Sequence, residues 1–445
     1  MTERQTEKTP ATVPRKAKQD GEVRERWPHA KPWVWTDRML TALESGVKGG
    51  KWFSLIDKVH APDSLMMAFS QVKTNKGSAG VDRVTIRMFE KHLDENIRKL
   101  SEELRTGTYR PQAIRRVWIP KAGSKEKRPL GIPTVRDRVV QTALLAVLEP
   151  IFERDFARQS YGFRPGRGCK DALREVNILL KDGLHYVVDA DLRRYFDSIP
   201  KVGLLDRIKT KVSDGRVLEL LEAYLDQEVM DGLESWTPEE GTPQGAIISP
   251  LLSNIYLDPL DHLMAAKGYR MVRYADDFVI LCQSRCEAEN ALEVVELWTD
   301  REGLSLHPEK TVIVDSRLPG GFDFLGYHFE RGYKWPRKKS LRKLKDTIRS
   351  KTKRNNGHSL DTIISDVNRT LESWFEYFKH SNKWTFLRLD QWIRMRLRSI
   401  LRKRRGLRGR GRGIDHHRWP NAFFANLGLF STGAAWGEAR QSARR

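Results

Sequence analysis

The chain has 445 residues, with 80 Lys and Arg against 58 Asp and Glu, for a formal net charge of +22. That excess goes beyond what solubility needs and points to a polyanionic partner, while no run is apolar enough to span a bilayer as a helix. Only three cysteines occur, Cys169, Cys282 and Cys286, with no second Cys or His pair at zinc spacing, so they read as reduced thiols.

Residues 1–36 are rich in charge and lack periodicity, which predicts a disordered tail without the apolar core of a signal peptide. Arg116, Lys121 and Arg128 flank a Gly-containing turn, as cations reaching phosphate oxygens would. His185–Asp197 begins as a β-run, and alternation sets Asp189 and Asp191 on one face. Gln244 stands between Pro243 and Gly245, and the missing Cβ of Gly245 lets backbone approach a ligand closely.

In Met271–Cys282, two apolar runs flank the acids Asp276 and Asp277, a pattern that predicts a hairpin with both carboxylates at its tip. Adjacent carboxylates repel each other and gain nothing from a core, so a divalent metal explains them. An isolated pair would read as an ordinary turn. Asp191, on a second acidic strand, changes that reading. Phosphoryl transfer from a nucleoside triphosphate needs two metal ions about 3.5–4 Å apart, and carboxylates from two neighbouring strands suffice to hold them.

After the acids the chain becomes basic and helical. Ser340–Arg354, Leu360–Phe378 and Phe386–Leu401 each carry an apolar stripe, the second through Ile363, Ile364, Val367, Leu371, Trp374, Phe375 and Phe378. From Lys334 to Arg418 about two dozen Lys and Arg face fewer than ten acids, a density suited to tracking phosphates. Arg402, Lys403, Arg404 and Arg405 open a Gly- and Arg-rich stretch to Gly413 that reads as a flexible arm against phosphate. Residues 419–430 are aromatic enough to dock back onto the helices. His416 and His417 lack a third ligand at metal spacing.

Taken in order, these segments resemble the intron-encoded reverse transcriptases of bacterial group II introns. Lys76–Asp82 is similar to the N-terminal fingers motif of that family, and Arg116–Lys121 with Lys127–Pro133 to the segment holding the incoming triphosphate. Tyr161–Gly168, Gly241–Gly245 with Ser249–Ile255, Tyr274–Asp277, Gly303–Thr311 and Phe324–Tyr327 continue the match over roughly 250 residues. Arg193-Arg194 departs from it, standing where the family more often has a lysine and a small residue.

The resemblance implies an α+β right-hand polymerase with fingers and palm, followed by an α-helical thumb or maturase domain. It implies RNA-directed DNA polymerase activity, splicing assistance and intron mobility, with two Mg²⁺ ions held by Asp191, Leu192, Asp276 and Asp277. Arg116, Lys121, Arg128, Gln244 and Lys310 would serve the nucleotide, Lys310 as a proton donor to pyrophosphate. Phe196, five residues after Asp191, would lie under the sugar and exclude a 2′-hydroxyl. Expected partners are group II intron RNA, target DNA and deoxynucleoside triphosphates, in the cytoplasm and without a membrane. Expected boundaries are 1–36 for the tail, 37–330 for fingers and palm, 331–405 for the thumb and 406–445 for a basic tail, with no room for the nuclease of longer members. A reverse transcriptase recruited to phage defence, or a splicing cofactor with a vestigial polymerase site, are the alternative readings.

Overall fold

The computed structural model describes residues 21–47, 49–120 and 127–442. Its strands begin with β1 (Ile114–Pro120), β2 (Lys127–Ile132) and β3 (Tyr186–Asp191). The short pair β4 (Val229–Asp231) and β5 (Glu234–Trp236) precedes the hairpin β6 (Arg270–Tyr274) and β7 (Asp277–Cys282). After them come β8 (Val312–Asp315), β9 (Phe322–Phe324), β10 (Tyr327–Glu330) and β11 (Tyr333–Pro336). They form three sheets, ordered β2-β1-β4-β5, β6-β7-β3-β8 and β11-β10-β9.

The second sheet is the palm, and burial on both faces explains its near-continuous apolar strands. Val188, Ala190, Phe278 and Ile280 enter one core cluster with the helices Ser249–Ala266 and Arg285–Arg301. Val187, Val279 and Leu281 enter the other, against Phe322, Phe324, Tyr327 and Phe329 of the third sheet. Asp189, Asp191 and Asp277 share the parity of this second face, so the acids emerge where the palm meets β9 and β10.

The fingers are helical around the hairpin β1–β2. Helix Val135–Glu153 begins at Thr134, whose side chain accepts a hydrogen bond from the Asp137 amide, and it is buried almost all round. Arg138, on that helix, donates to the carbonyl of Ser78 at 2.7 Å and holds the Lys76–Asp82 segment in place.

The thumb comprises helices Lys338–Lys351, Leu360–Phe378 and Lys383–Arg404, packed through Leu344, Ile348, Ile363, Val367, Leu371, Ile393 and Leu397. Ser359 caps the second helix by accepting from the Thr362 amide at 3.1 Å. Thumb and palm exchange two hydrogen bonds, Tyr377 donating to the Leu325 carbonyl and Tyr327 to that of Tyr377, both at 2.7 Å. Because β11 runs to Pro336, the palm side ends a few residues later than 330. None of the described helices is long and apolar enough to cross a membrane.

Both expected tails are corrected within the described residues. Gly21–Arg26 is helical, and Trp35 is fully buried, its indole nitrogen donating to the Ala146 carbonyl at 3.0 Å and its ring lying edge-on to Trp52. Trp27, Trp33, Val34 and Trp35 supply enough apolar surface to offset the surrounding charge. Residues 1–20 lie outside the described part.

At the other end Asp415 is fully buried and pairs with Arg402 at 2.9 Å. The Gly411 amide donates to Ser399 at 3.0 Å, and Trp419 and Phe424 enter the thumb core. A last helix, Thr432–Ser442, starts on Asp390, which accepts from the amide and hydroxyl of Thr432 and from the hydroxyl of Ser431. The aromatic docking expected for 419–430 is present, whereas the flexible arm is not: Gly411 packs closely against Arg398, and Gly406, Gly409 and Gly413 turn the chain at left-handed φ.

Candidate active site

Strand register brings the three acids together. Asp191 is the direct partner of Asp277 across the antiparallel pair β3–β7. Tyr274 pairs with Asp277 to close the hairpin, leaving Ala275 and Asp276 as its two-residue turn. Ala275 sits at φ 59°, a left-handed conformation that a residue with a Cβ adopts only when its surroundings enforce it. Gly162 is part of that enforcement, since a Cβ there would run into the Ala275 amide.

Negative charge accumulates here with only partial compensation. Burial, then the neighbouring Asp276 and Asp191, push the Asp277 carboxyl up to about 7, against weaker opposition from Arg337 and Lys310. Burial, then Asp277, Asp323 and Asp191, take Asp189 to about 7 as well. Asp276 is raised mainly by burial. Lys310 forms an ion pair with Asp191, and the Asp191 carbonyl accepts from the His307 amide at 2.8 Å.

This donor set is hard oxygen, partly desolvated and mutually repelling, which fits a divalent cation of the Mg²⁺ type. Among the described residues no three acidic, His or Cys side chains converge at coordination distance, and Lys310 is paired with the Asp191 carboxylate, so an ion there would compete with the ammonium. The Leu192 side chain is buried, which leaves its main-chain carbonyl as the only group it could offer.

The nucleotide-side residues divide. Arg128 lies opposite Ile119 and Arg116 opposite Gly131, so the two arginines point from opposite faces of the β1–β2 hairpin. Arg128 faces the acids: its Nε donates to Gln244 Oε1 over a long 3.4 Å, and its charge opposes the rise in Asp276. Arg116 is on the other face, 4.5 Å above the Trp236 ring and 5.8 Å from that of Trp118, where it lines a cavity together with Gly131, Asp197 and Gln244. Lys121 lies outside the described residues.

Gln244 also donates to Asp197 at 3.0 Å, and its carbonyl accepts from the Gly131 amide at 2.6 Å. Gly245, at φ 106°, abuts the Gly131 carbonyl, so this loop and the fingers hairpin are locked backbone to backbone. Phe196 is buried, edge-on to Tyr195 at 5.6 Å, with its carbonyl accepting from the Thr242 amide. Arg194 takes a left-handed conformation at φ 49° just before it.

On the thumb, the four residues expected to meet RNA are partly engaged within the protein. Arg402 bonds Asp415 and the Arg408 carbonyl, Arg404 the His358 carbonyl, and Arg405 stacks on Trp419. Lys403 is exposed.

Sequence reasoning missed the support beneath the acidic turn. Arg273 is fully buried, with Nε donating to Asp261 at 2.8 Å, Nη1 to Asn254 at 3.0 Å and to the Ala275 carbonyl at 2.9 Å, and Nη2 to Ser160 at 2.8 Å. The signal was a charged residue inside an apolar strand, together with an acid inside an apolar helix.

Comparison with known proteins agrees with this geometry. Residues 119–329 match the family model described as reverse transcriptase (RNA-dependent DNA polymerase), and residues 341–419 match the group II intron maturase-specific domain. Protein YkfC of Escherichia coli K12 is 33% identical over 320 residues, covering 62% of this chain and 83% of that protein. The group II intron-encoded protein LtrA of Lactococcus lactis is 38% identical over 202 residues, 45% of this chain but only 33% of LtrA. Among solved structures, a partial Cas6-RT-Cas1–Cas2 complex aligns at 25% identity over 56% of this chain and 41% of its own, with a TM-score of 0.36. On the two matched domains and the relative spanned over most of its length, the chain belongs to the group II intron-encoded reverse transcriptases and maturases, RNA-directed DNA polymerases joined to a maturase domain.

Proposed function

We propose that this chain binds the RNA of a group II intron, assists its splicing, and copies it into cDNA from a primer at a DNA target. The observation that carries the polymerase half is the pairing of Asp191 with Asp277 beside the Asp276 turn, three acids gathered at the palm surface, with the Asp276 and Asp277 carboxyls raised by burial and then by neighbouring charge. Two Mg²⁺ ions held there by Asp191, Asp276, Asp277 and the Leu192 carbonyl would activate the primer hydroxyl and stabilise the departing pyrophosphate.

The chain's own residues have complementary roles. Arg128 and Gln244 hold the incoming deoxynucleoside triphosphate, with Lys121 a further candidate at the fingers turn. Phe196 excludes a 2′-hydroxyl, and Lys310 moves from Asp191 to the leaving phosphate. The basic thumb grips intron RNA through phosphates, a role in which affinity falls steeply with salt. This work belongs in the cytoplasm of a bacterial cell, where intron transcripts are made.

The test uses the purified chain in two assays. It should extend a primer on an RNA template with deoxynucleotides and Mg²⁺, and it should lower the Mg²⁺ needed for splicing of the intron RNA encoded around its gene. Extension without any effect on splicing would leave the polymerase reading and overturn the maturase one.

A further inference from the structure

The turn carrying Asp276 holds Ala275 in a left-handed conformation, and nothing in Ala275 itself favours it. Two groups press on that residue. Gly162 closes over its amide, and Arg273 Nη1 holds its carbonyl at 2.9 Å. The two are tied together, because Asn254 accepts from Arg273 at 3.0 Å and donates to the Gly162 carbonyl at 2.9 Å. Ser160 holds a second guanidinium nitrogen at 2.8 Å, and Asp261 neutralises the cation from the helix Ser249–Ala266.

We infer that Arg273 is a positioning residue: its guanidinium, with Asp261, Asn254 and Ser160, fixes the Ala275–Asp276 turn in the one shape that presents Asp276 beside Asp277 and Asp191. This rests on the reading that those acids bind divalent ions. Arg273 touches no substrate and acts through the backbone of Ala275. The planar fork matters because its partners lie in different directions: carboxylate, amide, hydroxyl and turn carbonyl. An ammonium can satisfy Asp261 but cannot hold the others together. Without the fork, the turn is free to relax from its strained conformation, and Asp276 departs from the ion.

The direct readout is Mn²⁺ binding to the full chain, followed by electron paramagnetic resonance without substrate, alongside the Mg²⁺ dependence of primer extension. R273K keeps the charge opposite Asp261 and should remain folded. Its Mn²⁺ affinity should fall about tenfold, the scale of losing a charged hydrogen bond to the turn, and half-maximal extension should need correspondingly more Mg²⁺. R273M/D261N removes both buried charges together, avoiding an uncompensated carboxylate, and should bind Mn²⁺ as poorly. A thumb-core variant, Leu344→Ala, supplies a destabilised control that should bind like wild type.

Folded R273K with wild-type Mn²⁺ affinity and Mg²⁺ dependence would overturn the inference. So would an equal loss in Leu344→Ala, which would make the effect one of general stability. If D276N/D277N left Mn²⁺ binding unchanged, the metal reading itself would fail and take this inference with it. R273K decides the matter alone should the double variant not fold.

Discussion

Lys310 sits on the Asp191 carboxylate, bridging 119 residues of sequence at the centre of the acid cluster. The pair is partly exposed, so it adds little to stability. Its consequence is competition: the ammonium occupies an oxygen that a divalent ion needs. Lys310→Ala should therefore lower the Mg²⁺ concentration for half-maximal extension a few-fold. The maximal rate should fall by roughly 10²-fold if Lys310 donates the proton to pyrophosphate. A Mg²⁺ titration of extension rate separates the two effects, and an unchanged curve in both respects would remove Lys310 from the site.

Replacing Asp276 and Asp277 by Asn keeps the shape of the turn and removes the charge. Extension of a primed RNA template should drop by orders of magnitude. Without metal, the Asp277 carboxyl stays protonated in the folded chain up to about 7, whereas the unfolded chain has already released that proton near pH 4. Stability is thus lost as pH rises across that window. Asp277→Asn should then melt several degrees above wild type at pH 8 in chelator and level with it near pH 4. Equal melting at both values would mean that Asp277 is not desolvated.

Phe196→Ala should admit ribonucleotides while retaining polymerisation. The ring is buried beside Tyr195, so its removal should also cost about 3 kcal/mol of stability. Incorporation should accordingly be compared well below the melting range. An unchanged preference for deoxynucleotides would assign Phe196 to the core alone.

What was legible in the sequence was local. Alternation of the acids in Tyr186–Asp191 and the apolar run of Asp277–Cys282 are signals that each strand carries by itself, and the stripe of Leu360–Phe378 is likewise internal to one helix. What escaped depended on distant partners. Trp35 finds its acceptor at Ala146, 111 residues away, which turned a charged tail into a folded segment. Arg116 and Arg128 flank one turn but face opposite ways because of the β1–β2 register. Arg402 is only 13 residues from Asp415, yet a run of glycines between them reads as flexible until the buried carboxylate is seen.

That last pair reshapes the RNA-binding prediction. Neutralising Arg402, Lys403, Arg404 and Arg405 together strips Asp415 of its closer partner and leaves only Arg418 at 4.0 Å, and a buried charge so weakly compensated should loosen the 406–419 segment whether or not RNA touches it. A cleaner surface lies on the first thumb helix, where Lys338, Lys339, Arg342 and Lys343 are exposed beside the buried Leu344 and Ile348. Changing those four to Gln should weaken intron RNA binding and flatten its salt slope by about 0.7–0.9 for each phosphate that is no longer neutralised, without altering the melting temperature. Extension on a short primed template at saturating concentration should survive, because the acids and the nucleotide-side residues are untouched. D276N/D277N should show the opposite pattern, with intact RNA binding and splicing but no cDNA. An unaltered slope in the first-helix variant would move the RNA to another face of the thumb. Loss of splicing in a folded palm variant would mean that one conformation of the polymerase site serves both activities.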